Sequence, residues 1–129
     1  MKVIGVIPCR YKSSRFPGKP VAMICGKPML WHVWNQATKT KYVDKLIVAT
    51  DDNRIYDVCY QHGIESIMTS ENHKTGTDRV AEVAERIDGD VFVNIQGDEP
   101  LIDPTGIDLV VAAILNSDEE NIANAFSLI

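Results

Sequence analysis

Short apolar runs alternating with stretches of helical periodicity limit what this chain can fold into. The first run, Val3-Ile4-Gly5-Val6-Ile7, contains no polar residue, so it reads as a strand buried on both faces. Leu46-Ile47-Val48-Ala49, Ile64 to Met68 and Val91-Phe92-Val93-Asn94-Ile95 are further runs of this kind. Between them the apolar residues recur at helical spacing. Pro28 suits the first turn of a helix in which Leu30, Val33, Trp34 and Ala37 share a face, running to about Thr38. Ile55, Val58, Cys59 and His62 mark a second helix, with Gly63 as its stop. Val80, Val83, Ala84 and Ile87 mark a third, opened by a capping box from Thr75 to Asp78. Asp103-Pro104 begins a fourth, with Ile107, Val110, Val111 and Ile114 along it, and Ile122 to Ile129 reads as a fifth strand. Strand and helix in strict alternation imply an α/β fold of three αβα layers, with a mostly parallel sheet between helices on both faces.

In such a sheet, ligands bind outside the carboxyl ends of the strands. The first strand runs into Pro8 to Pro20, PCRYKSSRFPGKP, which holds Arg10, Lys12, Arg15 and Lys19 with Ser13, Ser14 and Gly18 among them. Pro8, Pro17 and Pro20 forbid a regular helix there. A buried strand ending in a cationic, hydroxyl-bearing loop is a place to hold phosphate. The loop is neither G-x-G-x-x-G nor G-x-x-x-x-G-K-[ST], so Arg and Lys side chains must do more of the holding than a glycine cradle. The other strand ends deliver Thr50, Asp51 and Asp52, then Thr69 to Arg79, then Gln96, Asp98 and Glu99, all on the same edge.

Charge agrees with a focused anion site. The 129 residues carry a net charge of −5, which argues against broad nucleic-acid binding. Yet residues 1–45 hold nine Lys or Arg against one acid, Asp44, and residues 46–129 hold four against seventeen. Lys39, Lys41 and Lys45 read as solvated surface, as does His32, while Trp31 and Trp34 read as core or interface. The length is that of one domain, 1–129. No apolar run approaches the roughly 20 residues of a membrane span, and Met1-Lys2-Val3 does not open a signal peptide. Cys9, Cys25 and Cys59 form no C-x-x-C pair, which fits three buried apolar residues in a reducing cytoplasm rather than a disulfide or zinc framework. An Asp after a buried strand, facing a polyphosphate, is a natural Mg²⁺ ligand. Asp98, following Gly97 at a strand end, is the candidate, although a capped turn would account for Asp98-Glu99-Pro100 taken alone.

Pro8-x-Arg10-x-x-Ser13-x-Arg15-x-Pro17-Gly18-Lys19-Pro20, Gly26-Lys27-Pro28-Met29, Ala49-Thr50-Asp51, His73-x-x-Gly76-Thr77-Asp78-Arg79 and Gln96-Gly97-Asp98-Glu99-Pro100 together resemble the cytidylyltransferases that activate 3-deoxy-manno-octulosonate (Kdo), the CMP-Kdo synthetases. The resemblance runs from Val3 to about Leu128. It implies a Rossmann-like nucleotidyltransferase fold and a reaction in lipopolysaccharide precursor synthesis. There the anomeric hydroxyl of Kdo attacks the α-phosphate of CTP, pyrophosphate leaves, and CMP-Kdo forms. It further implies that Arg10, Arg15 and Lys19 grip the triphosphate, with Arg10 and Lys19 carrying catalysis. Pro8, Ser13, Gly76 and Arg79 would join the nucleotide site, Gln96 would lie near the sugar acid, and Asp98 would hold Mg²⁺. Such chemistry needs positioning and charge neutralisation more than a protein nucleophile. His73 reads as a loop hydrogen-bonder rather than a base. Family members run about twice as long and form homodimers through a second half, so this chain is expected to be the N-terminal nucleotide half of a longer architecture. Three readings follow: a CTP:Kdo cytidylyltransferase, a CTP-binding fragment without turnover, or a cytidylyltransferase for another sugar acid.

Overall fold

Continuous apolar runs do become central strands. A computed structural model describes residues 1–12, 17–97, 102–116 and, for the backbone, 122–125. The principal strands are β1 (Val3–Cys9), β4 (Lys45–Thr50), β5 (Ser66–Met68), β6 (Val91–Ile95) and β7 (Ile122–Ala125). Two short strands, β2 (Met23–Ile24) and β3 (Lys27–Pro28), form a separate antiparallel hairpin. The five principal strands make one parallel sheet in the order β5-β4-β1-β6-β7. This is the doubly wound order, and the chain reverses direction across the sheet between β1 and β6. The switch point therefore lies between β1 and β6.

Alternate residues of each strand serve opposite faces. Val3 and Ile7 of β1, Val48 of β4, and Val91, Val93 and Ile95 of β6 meet α1 (Met29–Ala37), α2 (Asn53–Gln61) and α4 (Pro104–Leu115) in one apolar cluster. Ile4, Val6, Ile47, Ala49 and Phe92 meet Val80 and Val83 of α3 (Gly76–Arg86) on the other. The three αβα layers are those expected from the alternation. β4 and β7 lie on opposite sides of β1, yet α1 and α4 share a face, so their two crossovers have opposite hand. Gln36 Nε2 joins these helices by donating to the Ile102 carbonyl at 3.1 Å, and Asp108 accepts from the Lys41 and Tyr42 amides.

The helix starts follow their caps. Asp52, Thr75 and Asp103 each accept from a backbone amide of the first turn, and Pro104 opens α4. Other boundaries moved for local reasons. β1 extends through Pro8 and Cys9, because pairing with β6 stops at Val6 and the missing proline N–H breaks no ladder bond on that side. Pro28 is the N-cap of α1 in extended conformation rather than its first helical residue. β5 starts at Ser66, since the Ile64 amide is committed to the Cys59 carbonyl at the end of α2. Of the expected fifth strand, residues 126–129 lie outside the described residues.

The hairpin corrects two expectations. Its two-residue turn, Cys25-Gly26, has positive φ at both positions, 50° and 79°, which exposes Cys25, while Cys9 and Cys59 are buried as expected. His32 is not free on the helix surface; its Nε2 lies 2.6 Å from the Ile24 carbonyl and ties α1 to the hairpin. Among the described residues no helix is long and apolar enough to cross a membrane.

Leu30 is fully buried in the larger cluster. Leu30→Ala is expected to lower unfolding free energy by about 2–5 kcal/mol, read from urea denaturation with an unchanged slope.

Candidate functional site

The carboxyl ends of β1 and β6 approach so closely that only backbone fits between them. A Cβ on Gly97 would lie 2.8 Å from the Pro8 carbonyl oxygen and 3.0 Å from Cys9 Sγ. A Cβ on Gly76, the first residue of α3, would lie 3.1 Å from Pro8 Cγ. The strand end at Gln96-Gly97, the exit of β1 and the start of α3 therefore converge on Pro8.

A cleft of roughly 460 Å³ opens over the ends of β1, β4 and β5. The exit of β1 supplies Arg10, Tyr11 and Lys12, the end of β4 with the start of α2 supplies Asp51, Asp52 and Arg54, and the segment from β5 to α3 supplies Glu71, His73 and Arg79. The basic residues near it are of two kinds. Arg79, only 4% exposed, donates to Thr69 Oγ1, to the Ser70 carbonyl at 3.2 Å and to Asp51 Oδ2 at 3.5 Å. Arg54 reaches Asp52 through Nε at 3.0 Å and Nη2 at 2.8 Å, which holds the Asp52 carboxyl below its ordinary value. These two charges are matched. Among the described residues, Arg10, Lys12 and Lys19 form no ion pair. Arg10 and Lys12 are exposed, and Lys19 is half-buried in a 3₁₀ turn, Lys19–Val21, outside the cleft lining. Uncommitted cations around a strand exit can take an anionic ligand without first breaking a bond.

Of the residues singled out from the sequence, Pro8 and Gly76 meet at the exit of β1 with Gln96 one residue before Gly97, while Arg10 lines the cleft on the β4–β5 side and Lys19 lies on the loop that follows β1. Arg79 lines the cleft but is spent on bracing the ends of β4 and β5. Ser13, Arg15 and Asp98 lie outside the described residues. Tyr11 and Arg54 were not singled out. Arg54 Cζ lies 3.2 Å from the Tyr11 ring centroid, a pairing that no local sequence pattern announces.

Glu82 anchors the segment between β5 and α3 together with Arg79. Its carboxylate accepts from the Ser70 amide at 2.9 Å, from His73 Nε2 at 2.8 Å and from Arg86 Nη1 at 2.8 Å. The Ser70 amide bond is the main cause of a carboxyl pKa lowered to about 2, with His73 and Arg86 adding to it. His73 is a loop hydrogen-bonder, as read from the sequence.

A parallel α/β sheet whose strand order reverses beside β1 places its ligand edge, in proteins of this class, at the carboxyl ends of the strands. Comparison with known proteins gives the family. The cytidylyltransferase family model matches residues 4–129, and the chain belongs to that family. It is 53% identical over 117 residues to a 3-deoxy-manno-octulosonate cytidylyltransferase of Trichlorobacter lovleyi, covering 91% of this chain and 46% of that protein. It also superposes on a CMP:2-keto-3-deoxy-manno-octonic acid synthetase solved with CTP, with a TM-score of 0.88, 41% identity, and coverage of 91% of this chain and 48% of that one. A cytidylyltransferase from Leptospira borgpetersenii gives a TM-score of 0.80 at 26% identity, covering 92% and 51%. The chain spans about half the length of these relatives.

Glu82 binds its proton less tightly in the folded chain than the ordinary 4.5, so its contribution to stability is present above pH 4.5 and is lost as pH falls toward about 2. Glu82→Gln is expected to cost about 1–3 kcal/mol above pH 4.5, with the difference from the unsubstituted chain shrinking toward pH 2, measured by denaturation across that range.

Proposed function

We propose that the chain holds CTP at the β1–β6 edge and serves CTP:Kdo cytidylyl transfer. In this reaction CMP passes to the anomeric hydroxyl of Kdo and pyrophosphate is released, as a cytoplasmic step of lipopolysaccharide precursor synthesis. The carrying observation is the set of cations on the loop that leaves β1, Arg10, Lys12 and Lys19, which form no ion pair among the described residues. The Trichlorobacter lovleyi relative and the CTP-bound neighbour support the choice of nucleotide and acceptor. In this reading Arg10 and Lys19, with Arg15 and Ser13, neutralise and orient the triphosphate. Pro8 and Gly76 form the wall against the nucleotide, and Gln96 faces the sugar acid. Arg79 acts indirectly, by holding Asp51, Thr69 and Ser70 in place.

A metal fits the residue types. Among the described residues no group of three or more His, Cys, Asp or Glu is arranged to hold an ion. Mg²⁺ bound mainly through substrate phosphates needs only one or two carboxylates. Asp98 supplies one, directly after the Gly97 backbone that lies against Pro8. When bound, Mg²⁺ would add charge neutralisation on the phosphates.

The alternative outcome is CTP binding without turnover. Pyrophosphate release with CTP, Mg²⁺ and Kdo separates the two: turnover rejects the binding-only reading, and CTP affinity without release supports it. Another sugar acid turned over in place of Kdo would replace the acceptor. Lys19→Ala is expected to weaken CTP binding by more than about 1 kcal/mol by calorimetry, and unchanged affinity removes Lys19 from the grip. Asp98→Asn is expected to abolish Mg²⁺-dependent activity in the complete protein, and an active variant contradicts the metal role.

A further inference from the structure

The cationic loop must keep Arg10, Lys12 and Lys19 at fixed separations to bind one triphosphate, yet these side chains form no ion pair among the described residues. What fixes the loop lies beneath them. The Tyr11 carbonyl accepts from the Gly18 amide at 2.7 Å and closes the loop at its base. Gly18 adopts φ 77°, and a Cβ there would lie 3.0 Å from Tyr11 Cζ and Oη, so the ring lies flush against the backbone. Arg54 stacks on the same ring at 3.2 Å. Arg54 is itself oriented by Asp52, which accepts from the Arg54 amide at 2.8 Å as the N-cap of α2 while taking the guanidinium fork. Gly18, Tyr11, Arg54, Asp52 and the start of α2 form one continuous stack.

We propose that Tyr11 and Arg54 are positioning residues for the anion grip, a clamp that fixes the loop base to the start of α2 so that Arg10, Lys12 and Lys19 face one ligand. The proposal rests on the triphosphate reading above. Arg54 is not a fourth gripping cation, because its charge is matched by Asp52. A planar guanidinium on an aromatic face, held by a carboxylate fork, suits a strut.

The test uses the full 129-residue chain and two readouts. The first is exchange of the Gly18 amide proton, followed by NMR without ligand. The second is affinity for CTP and for inorganic tripolyphosphate by calorimetry. Tyr11→Leu and Arg54→Met should each speed Gly18 exchange about fivefold and weaken both ligands about fivefold, the scale of one exposed cation–π contact. The double variant should be no worse than either single one, since both remove one clamp. Tyr11→Phe keeps the ring and should restore exchange and affinity. Unchanged Gly18 exchange in Arg54→Met overturns the clamp whatever the ligand does. Faster exchange with unchanged affinity overturns its positioning role. An unsubstituted chain that binds neither ligand overturns the triphosphate reading, and the positioning role falls with it, although the exchange result still stands or fails alone.

Discussion

The absence of a side chain at Gly97 lets the end of β6 lie against the Pro8 carbonyl of β1. Much else follows from that contact. It brings the residue after β6 against the end of β1 at the point where the strand order reverses. It places Gln96 beside the exit of β1 and leaves Pro8 as the wall on which Gly76 and the first turn of α3 rest. A methyl group at Gly97 would have to displace backbone rather than a flexible side chain.

Near this fixed point the charges divide into those held by neighbours and those that form no ion pair among the described residues. Arg79 and Arg54 bind neighbouring carboxylates and carbonyls and shape the cleft. Glu82 gathers Ser70, His73 and Arg86 and keeps the β5–α3 segment in one shape. Among the described residues, Arg10, Lys12 and Lys19 form no ion pair. The chain is acidic overall, so these cations form a local attraction for an anion against a repulsive background. This pattern favours a triphosphate over a polyanionic chain. Nucleic acid would call for a basic surface far wider than one loop.

The architecture was legible because buried parallel strands are written as continuous apolar runs and helix starts as capping residues. Asp52, Thr75 and Asp103 all cap the helices they precede. The β2–β3 hairpin was not legible, because two-residue strands are too short to show a period, and with it went the placement of Cys25 and His32. The position of Arg10 beyond a strand end and the close approach at Gly97 were legible from the charge and the glycine that follow apolar runs. Commitment of a charge is a three-dimensional property. Arg79 looked like a ligand cation and is a buried brace, whereas Arg54 and Tyr11 meet across a long sequence separation that no motif marks. Family resemblance added the nucleotide and acceptor, which charge and topology alone do not distinguish from other phosphates.

The most direct measurement is a CTP titration with Mg²⁺ followed by amide chemical shifts. Shifts confined to the carboxyl edge of the sheet, at Arg10, Tyr11, Gly76, Gln96 and Gly97, are expected, with Lys2, Asp44 and Asp90 at the opposite edge unmoved. Shifts centred on that opposite edge, or none at saturating CTP, would contradict a nucleotide site at the β1–β6 switch point.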